Sequence, residues 1–264
     1  MNISVSNIAW KKEEDKRAFK ILEENGIYHL DIAPTRLFDS IDDLTKEKIQ
    51  EVKEKYQRAK FNIVAMQSLL YGANQYSIFD GENERNYMIN YLKKVLFIAQ
   101  ELGIKTLVFG SPKNRYITNK NQDNKKIALK FFRKLSDIAN KFGVNICLEA
   151  NPKEYGCNFI TDTFEAVDFI KIVNRKNFKL NLDISTILLN KNNLKEVIEY
   201  SKKYIKHVHI SSPYLKGISK IDNKKISKLL KEINYKGYVS LEMKPTGNNL
   251  KNLENNVGLF GCYR

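Results

Sequence analysis

Val144–Asn151 reads VNICLEAN, and Phe178–Thr186 reads FKLNLDIST. Both runs are short, apolar and rich in β-branched or large residues, which suits buried parallel strands. Between them, Asp162–Val173 repeats its apolar residues at helical spacing. Strand, helix, strand is one βαβ unit, and it requires the two strands to run parallel with the helix as crossover.

The same alternation extends in both directions. Upstream lie strand-like runs at Ile3–Ala9, Ile27–Ala33, Phe61–Leu70 and Lys105–Ser111; downstream lie Ile205–Ser211 and Tyr238–Lys244. Helical patterns fill the gaps at Glu13–Asn25, Leu44–Lys60, Asn83–Leu102, Lys125–Phe142, Leu194–Tyr204 and Asn223–Asn234. Gly26, Gly103 and Gly143 follow the last turns of three of them, as left-handed helix terminators do. Pro245–Arg264 is short and Asn-rich and is expected to hold a small eighth helix or an arm. Eight units in 264 residues average 33 each, which fits the ~250 residues of a closed barrel. The expected fold is α/β: a single (β/α)8 TIM barrel with parallel strands, one domain over residues 1–264. The rival is an open doubly wound sheet, which usually carries a Gly-rich phosphate turn after its first strand. Here Asn7-Ile8-Ala9-Trp10 follows that strand, and no GxGxxG occurs anywhere.

Composition narrows the function classes. Hydrophobic residues make up 42% and charged residues 28%, which excludes a mainly disordered chain. No apolar run approaches the ~20 residues of a membrane helix. Met1–Trp10 lacks the basic-then-apolar layout of a signal peptide, so the expected location is the cytoplasm. Cys147, Cys157 and Cys262 are odd in number and form no CxxC pair, which argues against a disulfide framework or a thiolate zinc site. The net charge is +15, but the lysines are spread over many segments as solvated helix faces would have them, so charge alone selects no partner.

In such a barrel the site lies at the carboxyl ends of the strands. Four consecutive strands each end on a potential ligand: Glu149, Asp183, His209 and Glu242. Taken singly, each has a bland reading. Glu149 and Asp183 suit helix caps, His209 suits a hydrogen-bonded core histidine, and Glu242 can pair with Lys244. Together, three carboxylates in one barrel mouth repel each other, and a divalent cation is the simplest way to stabilise them. One imidazole with three carboxylates suits Mn, Mg, Co or Zn.

The segments CLEANP, LNLDIST, KHVHIS and SLEMKP resemble the metal-site strands of the xylose isomerase-like TIM barrels. That superfamily includes sugar-phosphate isomerases and epimerases, ketose 3-epimerases, inosose dehydratases and the endonuclease IV group. The ligand spacings of 34, 26 and 33 residues are close to the ketose 3-epimerase pattern. The resemblance implies one divalent metal ion held by Glu149, Asp183, His209 and Glu242. It implies that Glu149 and Glu242 act as acid and base on opposite faces of a sugar, and that His207 points away from the site. The sequence departs from that pattern at Thr186, where the epimerases carry a substrate-binding His, and at Leu215, where they carry an Arg.

Those departures point away from a free ketohexose and toward a modified, phosphorylated or nucleotide-linked sugar. Lys113 and Arg115, after the fourth strand, read as two cations at the mouth, fit for an anionic group. Gly110, just before them, allows close backbone approach. Trp10, Gln67, Asn151 and Lys244 complete the expected substrate contacts. Asp31 reads as a cap of the second helix, and His29 as structural. The expected partner is a small carbohydrate, anionic in one version. Nucleic acid and membrane are not expected, and a homodimer is the suggested assembly. The expected activity is a metal-dependent sugar isomerase or epimerase. A dehydratase in the same barrel is the alternative, and an endonuclease IV-like nuclease is disfavoured because the chain has only three histidines.

Overall fold

The computed structural model describes residues 1–264 apart from Asp43, Asn74 and Asn121, the last of which falls in the polar loop after the fourth strand. Eight strands are present: β1 (Asn2–Ser6), β2 (His29–Ile32), β3 (Asn62–Met66), β4 (Thr106–Phe109), β5 (Asn145–Glu149), β6 (Phe178–Asp183), β7 (Ile205–Ile210) and β8 (Tyr238–Leu241). All pair in parallel with their sequence neighbours, and β8 closes on β1. The expected (β/α)8 barrel is the fold.

Helices α1 (Asp15–Glu24), α2 (Pro34–Leu37), α3 (Lys46–Arg58), α4 (Glu82–Leu102), α5 (Asn124–Lys141), α6 (Thr163–Val173), α7 (Ile184–Leu189), α8 (Leu194–Ser201), α9 (Asn223–Glu232) and α10 (Asn249–Leu259) occupy the connections. Asn249–Leu259 is the eighth helix expected near the C-terminus. The short α2 and α7 were not legible, because one or two turns leave no periodic signal. Capping follows local chemistry: Thr45, Asp123, Asp162, Asn193 and Asp222 each accept a backbone N–H of the first turn. α4 ends on Gly103 at φ 80°, a conformation glycine adopts without a Cβ penalty.

The strands sort their side chains by period two. Val5, Leu30, Leu107, Leu148, Leu180, Leu182, Val208 and Leu241 are buried and belong to the apolar core that the helices cover. Phe132 of α5, for example, meets Phe109 of β4, Phe169 of α6 and Phe178 of β6 at ring separations of 5.1, 5.6 and 5.3 Å. Many of the alternate residues are polar and face the inside of the barrel: Ser4, Asp31, Asn181, His207 and His209 are all buried, with Val108 and Cys147 as apolar members of the same face. The lumen is therefore largely polar rather than the Val/Ile/Leu stack common in such barrels. No helix among the described residues is long and apolar enough to cross a membrane.

Candidate metal centre

The ladder register sets the depth of each candidate. Asp183 of β6 lies opposite His209 of β7, and Glu149 of β5 lies opposite Asn181 of β6. Glu242 follows the end of β8 by one residue. His209 Nδ1 stands 3.2 Å from Glu149 Oε2 and 3.3 Å from Glu242 Oε2. Donors about 2.1 Å from a tetrahedral ion stand about 3.4 Å apart, so this spacing suits donors around one cation. Nδ1 is buried and has no aligned hydrogen-bond partner. An imidazole nitrogen aimed at two carboxylates, and bonded to neither, fits a site that takes a positive charge between them.

Each carboxylate has its own support. Asn181 Nδ2 donates to Glu149 Oε2 at 2.6 Å, and Asn151 Nδ2 lies 2.7 Å from the carbonyl of Gly110 and 3.4 Å from Glu149 Oε1. A Cβ on Gly110 would stand 2.7 Å from Glu149 Oε1, so the absence of a side chain there makes room for the carboxylate. Asp183 does cap a helix: its Oδ1 accepts Ser185 N–H at 2.9 Å, and also Ser211 Oγ–H at 2.5 Å. The Thr186 hydroxyl lies 3.1 Å from Asp183 Oδ2 and 2.9 Å from the carbonyl of Ala150. Thr186 thus belongs to the scaffold of Asp183.

The electrostatics are lopsided. Burial favours the neutral form of Glu149, but His209, Asn181 and the Arg115 cation outweigh it and hold this carboxyl below its ordinary value. Burial, then the charges of Glu149 and Glu242, push Asp183 up to about 7 against the pull of Ser211 and His209. Burial disfavours the imidazolium of His209, yet Glu242, Asp31 and Glu149 raise its pKa well above the ordinary value. The metal-free centre is short of positive charge.

Glu149, Asp183 and Glu242 form the floor of an open cavity of about 240 Å³, with Gln67, Asn151 and Tyr155 on its walls. Gln67 Nε2 donates to Ser6 Oγ at 2.5 Å, leaving its buried Oε1 without a partner. The other substrate candidates lie elsewhere. Trp10 is buried, donates its indole N–H to Asp15 at 2.9 Å and packs edge-on against Phe19; it belongs to the α1 packing. Lys113 is exposed beside a separate surface groove, and Arg115 is fully buried with no hydrogen-bond partner for its guanidinium, so the two cations do not share the mouth. The one-turn helix at Lys113–Arg115 turns them apart. Lys244 is exposed, and its backbone N–H donates to the carbonyl of Leu215.

Two further expectations are corrected. His207 does not point away: residues two apart on a strand share a face, and His207 lies inside the barrel with its ring 5.2 Å from that of His209. Asp31 caps nothing. It is fully buried, 2.5 Å from His207 Nε2 and 3.4 Å from His209 Nε2, and it accepts Ser4 Oγ–H at 3.0 Å. Burial raises its pKa, but His207 and His209 together hold it far below the usual carboxylate range. Asp31, His207 and His209 bring one potential ligand atom each into a tight buried cluster. The HxH spacing of KHVHIS was the signal that His207 shares the face of His209; nothing in the sequence marks Asp31.

The comparisons with known proteins agree with this architecture. D-psicose 3-epimerase of Agrobacterium fabrum is 26% identical over 110 residues, which is 41% of this chain and 38% of that protein, so the match spans well under half the relative's length. A D-psicose 3-epimerase with D-tagatose from Clostridium cellulolyticum H10 superposes with a TM-score of 0.79 at 19% identity, covering 98% of this chain and 96% of the other. The IOLI protein with a binding zinc atom superposes at 0.74 with 22% identity, covering 99% and 95%. At these identities the superpositions show the fold. A family model described as xylose isomerase-like TIM barrel matches residues 19–259. With nearly the whole chain spanned by that model, the protein belongs to the xylose isomerase-like TIM barrel family.

Proposed function

We propose that this chain is a divalent-metal-dependent epimerase or isomerase of a small sugar, working by proton transfer at the carbon beside a carbonyl. The observation that carries the reading is the placement of His209 Nδ1, unpartnered and buried, between the carboxylates of Glu149 and Glu242 at the floor of an open cavity. The sugar epimerases among the similar proteins support it. Glu149, Asp183, His209 and Glu242 would hold the ion. When bound, the ion supplies Lewis-acid stabilisation to the oxygens of the substrate as negative charge develops on them.

The chain's own residues supply the rest. Glu149, held ionised by His209, Asn181 and Arg115, takes the proton from the carbon next to the carbonyl. Glu242, across His209 from it, returns a proton. Return to the opposite face of the same carbon gives epimerisation; return to the adjacent carbon gives isomerisation. The free Oε1 of Gln67 offers an acceptor for a sugar hydroxyl.

The cavity argues for a neutral sugar over the anionic one. Among the described residues that line it there is no lysine or arginine, while three carboxylates do. A phosphate brought there meets those carboxylates with no lysine or arginine on the lining to pair with it, and the charge of the bound ion is already shared among its ligands. The test is solvent exchange. In D2O, with each of the four candidate metals supplied, the chain should put deuterium beside the carbonyl of a neutral ketose and not of its phosphate ester. Glu149→Gln and Glu242→Gln should each cut that exchange about 10²–10⁴-fold while the metal-free protein stays folded. Full exchange in either variant removes that glutamate from the proton path. Faster exchange with the phosphate ester reverses the assignment of substrate charge.

A further inference from the structure

The two nitrogens of His209 face opposite ways. Nδ1 looks up toward Glu149 and Glu242 at the cavity floor, and Nε2 looks down the lumen toward Asp31 Oδ2 at 3.4 Å; in the metal-free chain neither nitrogen has an aligned hydrogen-bond partner. Asp31 is fixed from two other sides, by Ser4 Oγ–H on Oδ1 at 3.0 Å and by His207 Nε2 on Oδ2 at 2.5 Å. All four side chains are buried. An ionised carboxylate only accepts hydrogen bonds, so whatever faces it must bring a proton.

We propose that Asp31 is a positioning residue for the metal centre: by holding the proton of His209 on Nε2, it leaves the Nδ1 lone pair directed at the ion, and Ser4 and His207 hold Asp31 in place for that task. A ligating histidine usually donates its other ring N–H to a carboxylate, which fixes both tautomer and ring orientation. The inference rests on the reading that His209 is a metal ligand.

The distances separate this role from direct ligation by the buried triad. A tetrahedral ion holds its donors about 3.4 Å apart. His207 Nε2 and Asp31 Oδ2 are 2.5 Å apart, a separation that accommodates a shared proton and not an ion. The contacts of His209 Nδ1 with Glu149 and Glu242, at 3.2 and 3.3 Å, have the spacing of donors around an ion. Asp31 lies on β2 and His207 on β7, strands that β1 and β8 separate in the barrel, so the pair meets only through the lumen. Asp31 therefore joins one wall of the barrel to a candidate ligand on the other.

The experiment is zinc titration of the chelator-stripped chain by calorimetry, with ¹⁵N NMR of the imidazoles in the zinc-loaded protein. The wild type should bind one zinc per chain, with His209 ligated through Nδ1 and protonated on Nε2. Asp31→Asn keeps the shape but has one acceptor oxygen to divide between two histidines. It should bind zinc about 10–100-fold more weakly while circular dichroism of the metal-free protein is unchanged. Ser4→Ala, which leaves every charge in place, should weaken binding in the same direction by a smaller factor and serves if Asp31→Asn does not fold. Undiminished zinc affinity in the folded variants overturns the inference alone. So does ligation of His209 through Nε2, or a second zinc held by Asp31 and His207. Absence of zinc binding by the wild type overturns the reading of the cavity floor, and this inference with it.

Discussion

Asp183 does two jobs with one carboxylate: it caps α7 and it faces Glu149 and Glu242. Burial and those two charges raise its pKa to about 7, well above the value of an unfolded aspartate. Between those two values the folded chain keeps a proton that the unfolded chain has lost, so rising pH favours unfolding across that window. His209 acts in the same sense: its raised pKa stabilises the fold below the ordinary histidine value, and that contribution is lost as pH rises through the folded value. Metal-free protein should therefore melt lower at pH 8 than at pH 5. Asp183→Asn, which mimics the protonated form, should reduce that difference, and thermal melts in chelator at both pH values measure it. An undiminished difference in the variant would place the effect on other groups. Residue identity at the strand ends made Glu149, Asp183, His209 and Glu242 legible as a set. It did not reveal Asp31 and His207, because their role depends on which strands face each other across the lumen. It misplaced Trp10, Lys113, Arg115 and Lys244, because residues beyond a strand end lose the strand's directional register.

At the scale of elements, β4 and β5 show how a strand end is shaped for its neighbour. Gly110 follows β4, and the Glu149 side chain at the end of β5 occupies the space where a Cβ would stand. The obstructed atom is the tip of a flexible side chain, so Gly110→Ala should change stability little, within about 1 kcal/mol. It should nonetheless displace the Glu149 carboxylate and reduce solvent-proton exchange at least tenfold, since small misplacements of a reacting group carry large rate penalties. Denaturant melts and deuterium incorporation on the same samples separate the two effects; exchange at the wild-type rate would mean that Glu149 acts from another position. Rim elements are tied in a similar way. Tyr155 Oη accepts the backbone N–H of Tyr214 and shares a hydrogen bond with Ser185, both at 2.8 Å. Tyr214 and Leu215 are both left-handed, at φ 64° and 56°. Ser212 and Pro213 mark a turn there, but nothing marks its left-handed residues, since neither Tyr214 nor Leu215 favours that conformation.

Across the whole molecule, one periodicity organises both stability and site. Apolar residues on the outer faces of the strands join the core beneath the helices, and polar residues on most of the inner faces meet in the lumen. The alternation of short apolar runs with amphipathic helices was enough to read the closed barrel. The polar lumen was not read, because each inward Ser, Asn or His looks unremarkable on its own strand. If the lumen's upper end is built around a cation, occupancy should stabilise the entire fold, by about 2.7 kcal/mol at a hundredfold excess over the dissociation constant. Glu149→Gln and Glu242→Gln should blunt that gain, and thermal melts with and without metal measure it.

The central claim is that four side chains at the mouth hold one divalent ion. A crystal structure of the zinc-loaded protein, with the ion located by anomalous scattering, tests it most directly. The account predicts one ion bound by Glu149, Asp183, His209 Nδ1 and Glu242, about 2.0–2.2 Å from each donor. An ion seated instead among Asp31, His207 and His209, or bound only at the surface, would contradict it.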